Sequence, residues 1–209
     1  MGRLNSPTID LLVLFGVVYL FQQLGGIVGL GTAWFALATP VARPWTLVIN
    51  VYAHASLGHL LANAIALGIV GIALERFTAR TRFHGFVLVT GVIAALMQLL
   101  VGALLGTPVA VLGASGAGFA ILGVLTVWRP NMQVLLFFVI PMKIKYLTWG
   151  IAVVSAVLVV TSGTGGVGGI AHLAHLIGFA IGLAFGKRNE GLARSAGGMG
   201  GVSMGGAGG

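Results

Sequence analysis

The sequence predicts an all-α polytopic membrane protein, a bundle of six transmembrane helices whose fourth is short and starts within the bilayer. Three observations carry that prediction. Of 209 residues, 58% are hydrophobic and only 7% charged, and the mean hydropathy is +1.08, far above that of a water-soluble domain. Six apolar stretches reach helical length. All but one of the 11 lysines and arginines fall on alternate connections between them.

The first stretch, Ile9 to Gly31, is long enough to span. It lacks a basic leader, a short apolar core and a small-residue cleavage site, and so reads as an uncleaved helix. Thr32 to Ser56 follows, with Trp34, Phe35, Pro40, Pro44 and Trp45; its aromatics suit a membrane interface, and it is expected on or in the outer leaflet. The second and third helices are read at 57–74 and 86–105. Gly106 to Ala114 then leads into a fourth stretch, 115–128, well short of the roughly 20 residues a spanning helix needs. Non-helical backbone at bilayer depth is tolerated where protein buries it or water reaches it, so an internal hydrated cavity is expected there. Val134 to Pro141, apolar but short, reads as an interfacial lead-in to the fifth helix at 146–161, and the sixth is read at 170–186. The domain organisation is a membrane domain, 1–190, and a flexible Gly-rich tail, 191–209.

Charge sets the orientation. With the N-terminus inside, the cytoplasmic segments hold Arg3; Arg76, Arg80 and Arg82; Arg129, Lys143 and Lys145; and Lys187, Arg188 and Arg194, leaving only Arg43 outside. Both termini are then cytoplasmic, in an integral protein expected in the cell membrane. The net charge of +8 is thereby explained by topology, without a basic stripe for nucleic acid. The absence of cysteine excludes disulfides and thiolate chemistry. No internal repeat is evident, which counts against an inverted-repeat transporter.

In this topology helices two, four and six run in the same direction, so their first turns share one depth. The polar groups fall there. His59 and Asn63 lie four residues apart on one face of helix two, Ser115 starts helix four, and His175 lies in the second turn of helix six. Gly178, Gly182 and Gly186 give helix six a small-residue face, and Gly116 and Gly118 give helix four a matching one, so close approach would bring an imidazole to the serine hydroxyl. A serine needs such a base to act as a nucleophile. Asn63, His59 and the N–H groups at the start of helix four could stabilise the oxyanion that attack on a carbonyl creates. The only acids, Asp10, Glu75 and Glu190, are expected on the cytoplasmic side, which leaves a Ser-His dyad.

His54-Ala-Ser-Leu-Gly-His59-Leu-Leu-Ala-Asn63, Gly113-Ala-Ser115-Gly116 and Ala171-His172-Leu-Ala-His175-Leu-Ile-Gly178-Phe-Ala-Ile-Gly182, in this order on alternate helices, resemble the rhomboid intramembrane serine proteases over about Arg43 to Gly186. The resemblance implies a rhomboid-like bundle with Ser115 as nucleophile and His175 as general base and acid. It also implies His59 and Asn63 on the oxyanion side, and Glu75 as a structural glutamate near the inner end of helix two. Phe119 falls where the family often has a tyrosine against the catalytic histidine: the ring can stack but lacks the hydroxyl. Trp45-Thr46 stands where the family often has Trp-Arg. The expected substrates are single-pass membrane proteins cut in or near the transmembrane segment, with membrane lipid as the surrounding partner and no nucleic acid, metal or organic cofactor.

Blander readings stand beside these. Gly-Ala-Ser-Gly could be only a packing surface, and His172, three residues before His175, could replace it as base. His54 is expected in the hydrated mouth, His84 as a solvated interfacial residue, and Gln98, Gln22 and Gln23 as interhelical hydrogen-bonding groups. A metal site built from His54, His59, His172 and His175 is disfavoured, because residues five apart do not share a helix face and His-Glu-x-x-His is absent. The leading alternative function is a catalytically silent relative that binds transmembrane segments, although such a protein would be expected to have lost the serine or the histidine.

Overall fold

The computed structural model describes residues 6–107, 109–136, 139–162 and 171–193. It is mostly helical. Helices α1 (Pro7–Ile27), α3 (Leu57–Glu75), α4 (Arg80–Leu104) and α6 (Ile144–Ser162) are each long and apolar enough to cross a membrane by length and composition. Helix α5 (Ser115–Trp128) is apolar but has only 14 residues, α7 (His172–Arg188) has 17, and α2 (Thr46–Ile49) is a single turn. Val13, Val17, Leu61, Ile65, Val153 and Val157 are exposed on the outer faces, a surface suited to lipid and poorly suited to water. Leu192 and Ala193, within the segment read as a flexible tail, pack on the core, and the rest of that segment, 194–209, lies outside the described residues.

Helix α5 is the axis of the bundle. Ala117, Ile121, Val124 and Leu125 are fully buried, and α5 meets α3, α4, α6 and α7. Its closest neighbour is α7, and the sequence explains why. A Cβ on Gly178 would collide with the carbonyl of Gly116, and one on Gly182 with the carbonyl of Ala120. On the α5 side, a Cβ on Gly123 would come within 2.6 Å of the Phe179 carbonyl oxygen. Small residues at such a contact let two helix backbones approach closely, and here the fit is backbone to backbone. At the far end of α5 the Trp128 indole Nε1–H donates to the Gly186 carbonyl at 2.8 Å.

The N-terminus of the first helix is held by one carboxylate. Oε2 of Glu75, the last residue of α3, accepts from Ser6 Oγ at 2.7 Å, the Thr8 amide at 3.1 Å and Thr8 Oγ1 at 2.6 Å. Glu75 therefore serves the N-terminus of α1 rather than neutralising Arg76. Hydrogen bonds to a charged acceptor contribute about 1.5–3 kcal/mol each, so Glu75→Ala is expected to cost ~3 kcal/mol and Glu75→Gln about half that. Denaturant titration in detergent micelles checks both values.

One expectation is corrected, and two segments gain structure that the sequence did not specify. Helix α4 begins at Arg80, six residues before the apolar stretch, because its polar first turns have partners: Arg80 lies 2.8 Å from Asp10 and the His84 imidazole 3.3 Å from the same carboxylate, so His84 is not simply solvated. Val134 to Pro141, read as the lead-in to the fifth helix, does run directly into α6, and it does so as strand: β3 (Gln133–Leu136) and β4 (Ile140–Lys143) pair antiparallel with Leu135 opposite Pro141. A short apolar run suits a strand as well as a helix, and Pro141 is tolerated because a two-stranded ribbon leaves each strand a free edge. The segment 32–56, read as lying on or in the outer leaflet, has internal structure that its composition did not specify. It holds α2 and a short strand β1 (Leu37–Ala38), which pairs with β2 (Ala110–Val111) from the non-helical stretch before α5.

Candidate active site

Ser115 is the first residue of α5 and half-buried. His175 lies in the first turn of α7, whose amide donates to the Ala171 carbonyl at 3.2 Å. The glycine contacts below them close the gap between the two helices, and His175 Nε2 stands 2.9 Å from Ser115 Oγ. With the neutral imidazole protonated on Nδ1, the hydroxyl donates and Nε2 accepts, the arrangement needed for proton removal from a nucleophile. The Phe119 ring, one helical turn after Ser115, lies parallel to the imidazole with centroids 4.3 Å apart and 5° between planes. That stack fixes the ring plane without a hydroxyl.

The other side of the site is built by α3. Its N-cap Ser56 accepts from the His59 amide at 3.1 Å, and His59 Nδ1 accepts from the Ala55 amide at 3.4 Å, so a neutral His59 carries its proton on Nε2. That edge faces Gly113, where a Cβ would come within 2.9 Å of Cε1 and Nε2. Gly113 has φ +107°, a left-handed conformation that glycine adopts without strain, and its lack of a side chain makes room for the ring. Asn63 is buried and donates from Nδ2 to the His59 carbonyl at 3.0 Å, leaving a second Nδ2 hydrogen. Together His59, Asn63, Ser115, Phe119 and His175 line one cavity of about 580 Å³. The N–H groups at the start of α5 lack carbonyls one turn earlier and are oriented at the same end of the helix.

Two residues fall elsewhere than expected. His54 is not in a water-filled mouth: it is fully buried in the connection before α3, edge-on to Phe15 at 4.9 Å and to His59 at 5.3 Å. Its backbone is clamped there, since its amide donates to Gln22 Oε1 at 3.0 Å and its carbonyl accepts from Gln22 Nε2 at 3.1 Å. Gln22 thus bridges a helix to this connection rather than to another helix. Burial, and then the nearby His59, push the His54 imidazole down to about 4. His172 is buried too, edge-on to His175 at 6.0 Å, and its ring nitrogens make no hydrogen bond among the described residues, so His175 is the histidine placed at the hydroxyl.

Two positioning residues carry more of the site than the sequence suggested. Gln98 of α4 accepts the Ala174 amide at 3.1 Å, pinning the first turn of α7 beside His175. Asn50, after α2, accepts the Gly113 amide on its carbonyl at 2.8 Å while its side chain donates to the Thr46 and Leu47 carbonyls. It holds the approach to Ser115. A polar residue in the apolar run Val48 to Tyr52 was the available signal for it. Among the described residues no cluster of three His, Asp or Glu could hold a metal ion.

Comparison with known proteins places this arrangement in a family. The family model described as the Rhomboid domain matches residues 41–188, which include every residue named above for the cavity. No curated protein matches the chain.

Proposed function

The chain belongs to the rhomboid family, and from that premise we propose that it is an intramembrane serine endopeptidase acting through a Ser115–His175 dyad. The observation that carries this reading is the 2.9 Å contact between Oγ and Nε2 at the edge of a cavity that also receives His59 and Asn63. In the reaction His175 removes the Ser115 proton, Oγ attacks the peptide carbonyl, and the imidazolium returns the proton to the leaving amine. An acyl-enzyme results, and water deacylates it with His175 again as base. Asn63, His59 and the first N–H groups of α5 receive the oxyanion. No step requires a metal or an organic cofactor.

The surroundings are read as a six-helix bundle made of α1, α3, α4, α5, α6 and α7, with both termini cytoplasmic and the cavity near the outer face. The short α5 then starts below the surface, and its first turn brings the hydroxyl to the depth where a substrate helix can be met. The substrates are transmembrane segments of single-pass proteins. A peptide bond inside an intact helix is shielded by its own hydrogen bonds, so cleavage favours segments with helix-destabilising Gly or Pro.

The alternative, a silent relative that holds transmembrane segments without cutting them, has against it the presence and contact of both dyad residues. Reconstituted vesicles separate the two. Wild-type protein is expected to cut a co-reconstituted single-pass substrate bearing a Gly-rich outer segment, with the products read by mass spectrometry and the rate insensitive to chelators. Asn63→Ala is expected to lower kcat about 10²-fold, as loss of one oxyanion donor does, with little change in KM. Binding without products would favour the silent reading, and loss of cleavage on chelation would favour a metal mechanism.

A further inference from the structure

A second cavity, of about 510 Å³, lies at the opposite end of α5 from the dyad, between the ends of α3 and α5 and the β3 strand. Its walls are apolar, from Ile69, Ile72, Phe77, Met132, Val134 and Leu135, and its polar lining is Gln133 with two guanidinium groups, Arg76 and Arg129. None of the three acidic side chains, all among the described residues, lines it. Glu75, adjacent to Arg76 in sequence, is turned to Ser6 and Thr8, and Asp10 holds Arg80 and His84. Among the described residues the cavity therefore carries two positive charges without an acid of its own.

Part of that charge is explained locally. Arg76 and Arg129 cap the C-termini of α3 and α5, where cations offset the helix dipole. Arg129 also stacks over Phe77 at 4.6 Å and donates from one Nη to the Trp128 carbonyl at 3.2 Å. A guanidinium has five N–H donors, however, so most of Arg129's remain available, and the exposed Arg76 has no ion pair among the described residues. The walls continue onto exposed Ile69, Ile72 and Leu135, so the cavity opens sideways onto the apolar surface. A ligand that fits must present an anion at the end of the helices and hydrocarbon alongside them.

We propose that this cavity is a binding site for an anionic phospholipid, its phosphate between Arg76 and Arg129 and an acyl chain along Ile69, Ile72 and Leu135. The assignment rests on the proposed membrane orientation, in which this end of α5 lies at the cytoplasmic leaflet, and is independent of the proposed catalysis. Guanidinium is the side chain best suited to phosphate oxygens, and the apolar walls discriminate a lipid from a free phosphate ion.

The test is native mass spectrometry of the full chain purified in detergent, titrated with phosphatidylglycerol, phosphatidylcholine or inorganic phosphate. One phosphatidylglycerol is expected to remain bound, with phosphatidylcholine held about tenfold more weakly and inorganic phosphate unable to displace the lipid. Arg76→Gln and Arg129→Gln are each expected to weaken retention by about tenfold. Lys143→Gln/Lys145→Gln, which removes two charges outside the cavity, is expected to leave retention unchanged. Ile72→Trp, which fills the cavity at constant charge, is expected to abolish it. Active-site labelling in each variant reports an intact fold and separates loss of lipid from loss of the catalytic reading. Equal retention of the two lipids, displacement by inorganic phosphate, equal loss in the lysine variant, or a bound peptide or second copy in place of lipid would overturn the proposal.

Discussion

His175→Ala is expected to lower peptide cleavage by about 10⁴-fold or more while leaving the fold and substrate binding intact. The imidazole is asked to do two things in one cycle, to take the Ser115 proton and to hand it to the leaving amine, and the 2.9 Å contact gives it reach for the first. Its removal leaves Phe119 without a stacking partner but opens only a local space beside the main cavity, so the effect falls on kcat. His172→Ala provides the contrast. That ring lies edge-on to His175 and makes no hydrogen bond to the hydroxyl, so its loss is expected to cost far less than that of His175. Single-turnover kinetics in vesicles measures both, and equal losses would mean that the histidines share the base function.

Gly178→Val is expected to abolish activity by a different route, through the separation of two helices. The new Cβ would occupy the place of the Gly116 carbonyl, one residue after Ser115, and neither backbone can yield locally. Overpacking of a tight contact costs about 1–3 kcal/mol even where side chains can move, and here both partners are backbone, so a loss of at least ~3 kcal/mol is expected. Gly182→Val meets the Ala120 carbonyl and should behave alike, whereas Gly150→Val on α6, where nothing lies within 4 Å of the added carbon, should be tolerated. Thermal unfolding in detergent reads the stability. A Gly178→Val protein with unchanged stability and unchanged rate would show that the α5–α7 approach is not what brings Ser115 and His175 together.

Much of the site's geometry was legible in the sequence because lipid restricts what a polar residue can do. Ser115, His59, Asn63 and His175 stand at the beginnings of helices that run in one direction, and the glycine spacing on α7 names the partner helix; periodicity and composition suffice for that. What was not legible depends on side chains reaching across the fold. Gln98 meets the Ala174 amide from 76 positions away, and Gln22 clamps His54 from 32 positions away, contacts that no local pattern specifies. Burial of His54 follows from that clamp, so a histidine expected at water is enclosed. The hairpin of β3 and β4 was hidden for another reason: an apolar run of eight residues satisfies a strand and a helical turn equally, and only the pairing partner decides. Hydropathy likewise marks where lipid begins and not where a helix does, which is why Arg80 and His84, partnered by Asp10, extend α4 beyond its apolar stretch.

Reaction of the purified protein with a fluorophosphonate probe, with the modified residue located by peptide mass spectrometry, tests the proposed chemistry most directly. Wild-type protein is predicted to carry one adduct on Ser115, His175→Ala to react at least about 10²-fold more slowly, and Ser115→Ala not to react at all. An adduct that persists in Ser115→Ala, or a Ser115 that reacts equally fast without His175, would contradict the account.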